Sequence, residues 1–194
     1  MNKNILLAGM GGQGLVLMTD IICEAALKAG YEVKSNDVVG LSQRGGMVWG
    51  NVRIGDKIYS PNIREGHGDI LIAMEPLEGL RWHHMLKETG EIILNEKIIN
   101  PVLVQQEEKE YPLKTIEKMK NDYKTYDINA FEEAVKIGNE KVANVILIGM
   151  LAKVLEKSDL VIDKEIWLES IKMFVPEKAV ELNFEAFNFG FKEE

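Results

Sequence analysis

The stretch Asn4-Ile5-Leu6-Leu7-Ala8-Gly9-Met10-Gly11-Gly12-Gln13-Gly14-Leu15 decides the fold. Ile5 to Ala8 are apolar without alternation, which reads as a strand buried on both faces. The glycines that follow carry no Cβ and tolerate positive φ, so the backbone can turn sharply and lie close to another group. From Leu15 the apolar period changes. Leu15, Met18, Ile22, Ala26 and Ala29 line one face of a helix, and Gly30 stands where a glycine ends one. Strand, glycine turn and helix in this order put unpaired N–H groups and the positive end of the helix dipole beside the turn. The chain opens on a turn able to cradle an anion, set in an α/β framework.

Outward from this unit, residues 31–35 read as a second strand. Residues 47–54 read as a third, joined through Gly55-Asp56 to a return strand at 57–60 that Pro61 closes, a hairpin. Residues 69–74 form a buried strand. A helix starting at Glu75-Pro76 runs to about Glu88, Thr89-Gly90 ends it, and 91–95 is the next strand. Helices are expected at 113–121, 131–138, 142–156 and 163–174, with a short strand at 125–128. Val175-Pro176 is a break, and a last helix starts at Glu177 and ends near Asn188. This order predicts an α/β fold: a three-layer α/β/α sandwich around a Rossmann-like, mostly parallel sheet with some antiparallel strands. With no internal repeat or low-complexity linker, residues 1–194 read as one domain. Phe184, Phe187, Phe189 and Phe191 are too many for a free tail and are expected to fold back onto the core, docking on another chain being the alternative.

The balance of 23 Lys and Arg against 31 Asp and Glu gives a net charge of −8, which argues against a nucleic-acid partner. Cys23 is the only cysteine, so the chain has no CxxC pair and cannot hold an iron–sulfur cluster on its own thiolates. The opening residues lack a signal peptide's apolar segment. The longest apolar run, 142–155, is broken by Asn144 and Lys153 and is too short and polar to span a bilayer. A cytoplasmic protein with no membrane contact is expected.

Gly9 to Gly14 fit the spacing GxGxxG in the strand–turn–helix context of a dinucleotide fingerprint. That fingerprint also wants an acid at the end of the second strand. Asp37 is the nearest, and it lies past the predicted strand end. Three readings stay open for the turn: a dinucleotide site, a site for a phosphate of a larger cofactor, or a tight turn packed against a partner. A second glycine-rich loop, Ser42-Gln43-Arg44-Gly45-Gly46, offers the planar guanidinium of Arg44 to a phosphate or carboxylate, with a surface arginine as the plain alternative. His83 and His84, adjacent on a predicted helix, point about 100° apart. Neither they nor His67 belong to a metal-binding spacing, so no metal site is expected. P-loop, GxSxG and Cys–His signatures are absent from the sequence. Glu75-Pro76-Leu77-Glu78 falls at a strand's C-terminal edge, where open α/β sheets bind ligands. The favoured reading is structural, an acid followed by proline starting a helix.

In order, Gly9–Gly14, Leu41–Gly46, Val52-Arg53-Ile54, Tyr59-Ser60-Pro61, Asp69-Ile70-Leu71, Glu75–Arg81, Lys141-Val142-Ala143-Asn144, Pro176-Glu177-Lys178 and Glu181-Leu182-Asn183 resemble the gamma subunit or gamma domain of the 2-oxoacid:ferredoxin oxidoreductases across essentially the whole chain. The Ser-Gln-Arg-Gly-Gly form of the second loop looks like the indolepyruvate branch, specifically its beta subunit. The resemblance implies oxidative decarboxylation of a 2-oxoacid with coenzyme A to an acyl-CoA and carbon dioxide, electrons passing to ferredoxin. It places thiamine diphosphate, magnesium and 4Fe–4S clusters on a larger alpha subunit. It implies no catalytic residue on this chain, and an isolated chain that is inactive. Gly9, Gly11, Gly12, Gln13, Gly14, Ser42, Gln43, Arg44, Gly45 and Gly46 become candidate coenzyme A or subunit-interface residues. The alternatives are a gamma subunit of a pyruvate, 2-oxoisovalerate or 2-oxoglutarate enzyme, a free-standing dinucleotide-binding Rossmann-like protein, and an assembly module without a ligand.

Overall fold

The computed structural model describes residues 2–39, 46–100 and 110–193. Its strands are β1 (Asn2–Met10), β2 (Glu32–Val39), β3 (Met47–Gly55), β4 (Gly68–Ala73), β5 (Leu86–Asn95) and β6 (Lys124–Ile128), forming one sheet of order β2-β3-β1-β4-β5-β6. Among the described residues the α-helices are α1 (Leu15–Lys28), α2 (Pro76–Trp82), α3 (Leu113–Asp122), α4 (Ala130–Ile137), α5 (Ala143–Glu156), α6 (Lys164–Phe174) and α7 (Val180–Lys192). Strands β1, β4, β5 and β6 run parallel, while β3 is antiparallel to both β1 and β2.

Side chains alternate across a strand, so β1 sends Ile5 and Leu7 to one layer and Leu6 and Ala8 to the other. All four are buried, which is why the run shows no polar alternation. The larger layer holds α1, α4, α5, α6 and α7; the smaller holds α2, α3 and Ile63. This is the expected three-layer α/β/α sandwich.

Helix α1 ends as its glycine predicts. Gly30 sits at φ 86° and donates to the Leu27 carbonyl (3.0 Å), and Tyr31 N–H donates to the Ala26 carbonyl (3.0 Å). These two bonds make a Schellman ending. The C-terminal phenylalanines fold back: Phe187 is fully buried and stacks 6.3 Å from Trp167, while Phe184, Phe189 and Phe191 pack on the large core. Helices α5 and α7 cross at Gly149 and Gly190, where a Cβ on Gly190 would overlap the Ile146 carbonyl.

Three local expectations are corrected. The hairpin does not form: both edges of β3 are taken, by β1 and β2, so residues 57–60 have no edge left to pair with. Side chains hold that segment instead. Glu32 Oε2 accepts from Ile58 N–H (2.8 Å), and Arg53 Nη1 donates to the Ser60 carbonyl (2.9 Å). The helix expected to reach Glu88 stops as α2 at Trp82 with a 3-10 turn to Met85, because Leu86 is drawn into the smaller core as the start of β5; Thr89-Gly90 lies inside that strand. Strand β2 continues to Val39, carrying Asp37 opposite Gly50 within the ladder.

Candidate functional site

The glycine turn joins β1 to α1 at the C-terminal edge of the parallel strands, and its glycines do different jobs. At Gly9 a Cβ would meet Gln13 Oε1 and Leu15 Cδ1 at 2.8 Å and Met74 Cβ at 2.9 Å, so the missing side chain lets the turn close on β4's end. Gly14 is the N-cap of α1 in the left-handed region (φ 79°), and its missing Cβ leaves room for Asn144, whose Nδ2 would stand 2.5 Å away. Gly12 is also left-handed (φ 99°), yet a Cβ there would meet nothing within 4 Å. Gly12 is the glycine of the turn whose open side faces outward.

Gln13 is a clip. Its Oε1 accepts from Met10 N–H (2.7 Å), and its Nε2 donates to the Met74 carbonyl (3.0 Å). The same carbonyl accepts from Asn95 Nδ2 (3.0 Å), so two amides tie the ends of β1, β4 and β5 together. On the β3 side, Gly11 N–H donates to the Gly46 carbonyl (2.8 Å). Ser42, Gln43, Arg44 and Gly45 lie outside the described residues.

Glu75 follows Met74 and is almost completely buried. Its Oε2 accepts from Glu78 N–H (3.0 Å) as the N-cap of α2; its Oε1 accepts from Tyr111 Oη (2.5 Å) and Ile99 N–H (3.3 Å). Both oxygens are used within the fold, in line with the structural reading of Glu75-Pro76. Burial, then the hydrogen bond to Glu75, pushes the Tyr111 hydroxyl well above its usual range, keeping it a donor. Glu78 is also buried, which raises its carboxyl above the ordinary value; Arg81 Nη1 at 3.4 Å partly counters this.

Beside the turn lies a cleft of about 470 Å³. Gly12, Gln13 and Gly14 form one wall; Met74, Asn95, Lys97 and Ile99 a second; Phe131 of α4 with Glu140, Lys141, Ala143 and Asn144 around the start of α5 a third. Asn95, Lys97, Phe131, Lys141 and Asn144 were not foreseen as site residues. The available signal was Asn144, a lone amide in an otherwise apolar helical run. The expected ribose acid does not arrive: β3 lies between β2 and β1, so Asp37 sits one strand away from the turn. His83 and His84 share the 3-10 turn after α2, where His83 bonds to the Leu80 carbonyl and His84 stacks on Trp82, while His67 bonds to the Glu65 carbonyl before β4; no metal-like group of three His, Cys, Asp or Glu occurs among the described residues. No helix among them is long and apolar enough to cross a membrane.

Residues 4–193 match the family model described as pyruvate ferredoxin/flavodoxin oxidoreductase. The chain belongs to this family. Within it, the chain is 37% identical to the indolepyruvate oxidoreductase subunit IorB of Pyrococcus horikoshii, over 97% of this chain and 94% of the relative. It is 29% identical to the 2-oxoglutarate synthase subunit KorC of Methanothermobacter marburgensis, over 98% and 95%. The solved gamma subunit of a keto/oxoacid ferredoxin oxidoreductase from Geobacter sulfurreducens superposes with TM-score 0.72 at 27% identity, over 98% of this chain and 96% of that one. In this oxidoreductase subunit, then, the glycine turn is one edge of a cleft. Two of its residues, Gly9 and Gln13, hold the sheet ends together.

Proposed function

We propose that this chain is the small subunit of an indolepyruvate-type 2-oxoacid:ferredoxin oxidoreductase. It supports oxidative decarboxylation of an aryl 2-oxoacid with coenzyme A to acyl-CoA and carbon dioxide, with electrons leaving through ferredoxin. The observation that carries the reading is the full-length identity of 37% to an indolepyruvate subunit, against 29% to a 2-oxoglutarate one. A pyruvate, 2-oxoisovalerate or 2-oxoglutarate enzyme is the nearest alternative.

Residues 1–194 act as one domain in a cytoplasmic complex with a larger alpha subunit. That subunit carries thiamine diphosphate, magnesium and 4Fe–4S clusters, which supply the carbanion-stabilising and electron-transfer chemistry when bound. Cys23 alone gives this chain too few thiolates for a cluster. This chain's part is to shape the coenzyme's approach. Gly12 leaves its backbone open beside the α1 N-terminus, and Arg44 on the second loop supplies a two-pronged donor to coenzyme A phosphates.

Purification without oxygen from the source cells tests the assignment. The chain should co-elute with a larger, iron–sulfur-containing subunit, and the complex should oxidise indolepyruvate in preference to pyruvate and 2-oxoglutarate. A reversed preference moves the chain to another branch, and a chain that elutes alone and binds NAD defeats the subunit reading. Arg44→Ala should raise the KM for coenzyme A in an intact complex. An unchanged KM rejects that role, and loss of the complex makes the loop an interface instead.

A further inference from the structure

The cleft beside the glycine turn is built to take an anion that also carries a hydrogen-bond donor, and four observations converge on it. First, the N-terminus of α1, 14 residues long and not capped by a side chain, opens on this cleft at Gly14. Unpaired N–H groups and the positive dipole end of α1 therefore face this space. Second, Lys97 and Lys141 line it, and neither makes an ion pair among the described residues; the one acid among the described wall residues, Glu140, is solvent-exposed. Third, the Lys97 ammonium is held 4.2 Å above the Phe131 ring, which fixes a long flexible side chain at the cleft wall.

The fourth observation is Asn144, 3% exposed and lining the cleft. Its Nδ2 donates to the Gly14 carbonyl (3.3 Å), which can only accept, so the amide cannot be reversed. Its Oδ1 is consequently turned away from Gly14, and no donor among the described residues meets it. A buried acceptor left without a partner is costly, and a ligand N–H or O–H supplies what the fold withholds.

We propose that this cleft binds a phosphate ester bearing a hydroxyl or amino donor, of nucleoside-phosphate size. The phosphate lies against Gly12, the α1 N-terminus, Lys97 and Lys141. The ester's donor reaches Asn144 Oδ1, and its less polar body rests on Leu17 and Met74. The volume of about 470 Å³ falls in the range of small-molecule sites. The site belongs to this chain alone and does not depend on which 2-oxoacid the assembled enzyme takes.

Calorimetric titration of the full-length chain tests this with two probes, ADP and inorganic pyrophosphate, the second having no sugar or base. Both should bind, ADP more tightly. Lys141→Ala, an exposed substitution that leaves the core untouched, should weaken both by about tenfold. Asn144→Ala should weaken ADP by about tenfold while changing pyrophosphate by less than about threefold. If neither probe binds at about 5 mM, or if Lys141→Ala leaves both affinities unchanged, the site does not exist. Adding coenzyme A separates the sources of the ligand. Displacement of ADP makes the occupant the phosphorylated end of that coenzyme, whereas undisturbed ADP makes it a free nucleoside phosphate, and either result sustains the site.

Discussion

Replacing Gly14 with alanine, beside the same change at Gly12, isolates what the turn's geometry is worth. Both residues have left-handed backbone, φ 79° and φ 99°, so both substitutions carry the ordinary cost of a Cβ there, about 1–2 kcal/mol. They differ in what the Cβ meets. At Gly12 it meets nothing within 4 Å, while at Gly14 it stands 2.5 Å from Asn144 Nδ2, where ordinary contact begins at 3.4 Å. Asn144 must retreat by roughly 1 Å, lose its bond to the Gly14 carbonyl, about 0.5–1.5 kcal/mol, and repack a buried side chain, about 1–3 kcal/mol. Gly14→Ala should therefore cost about 2.5–6.5 kcal/mol and Gly12→Ala about 1–2 kcal/mol. At about 2–4 °C per kcal/mol for a chain of this size, the melting temperatures should fall by roughly 5–26 °C and 2–8 °C. Circular-dichroism melts and urea titrations read both. In an Asn144→Ala background the cost at Gly14 should shrink to that at Gly12, a coupling of about 1.5–4.5 kcal/mol. Equal costs at the two glycines, or strict additivity with Asn144→Ala, would refute the reasoning.

Gln13→Leu strips the clip and leaves Met10 N–H and one bond to Met74 unmade; the urea midpoint should drop by the equivalent of about 2–3 kcal/mol. Tyr111→Phe removes the donor to Glu75 and the acceptor for Leu77 N–H, so amide exchange at Leu77 should accelerate with a stability loss of about 1–3 kcal/mol. Gly190→Ala gains about 1 kcal/mol of helix propensity but drives α7 off α5, so its melting temperature should still fall, and a rise would mean that the helices do not cross there. Glu78 holds its proton more tightly folded than unfolded, because burial outweighs Arg81. Its contribution is therefore fully favourable below the ordinary value of 4.5 and is lost as pH rises through the raised folded pKa. Glu78→Gln should flatten that fall in urea midpoints as the pH rises above 4.5, and an unchanged slope would exonerate Glu78.

Where an element is decided by neighbours in the chain, the sequence alone determined it. Ile5 to Ala8 could only be a strand covered on both sides, since no polar residue offers a wet face. The period from Leu15 and the glycine at 30 marked α1 and its Schellman ending, because helix bonds and their caps span only a few residues. The family too was legible in ordered local motifs, and the match to residues 4–193 agrees. The tertiary structure alone decided which strands are neighbours. A strand's ladder partner lies many residues away, so residues 57–60 looked like a return strand until β2 proved to occupy that edge of β3. The same insertion of β3 moved Asp37 away from the turn. The cleft shows this most plainly: Gly14 and Asn144 are 130 residues apart. Only the packing of α5 against α1 sets one's missing Cβ against the other's amide, and no local pattern encodes a contact made across the core.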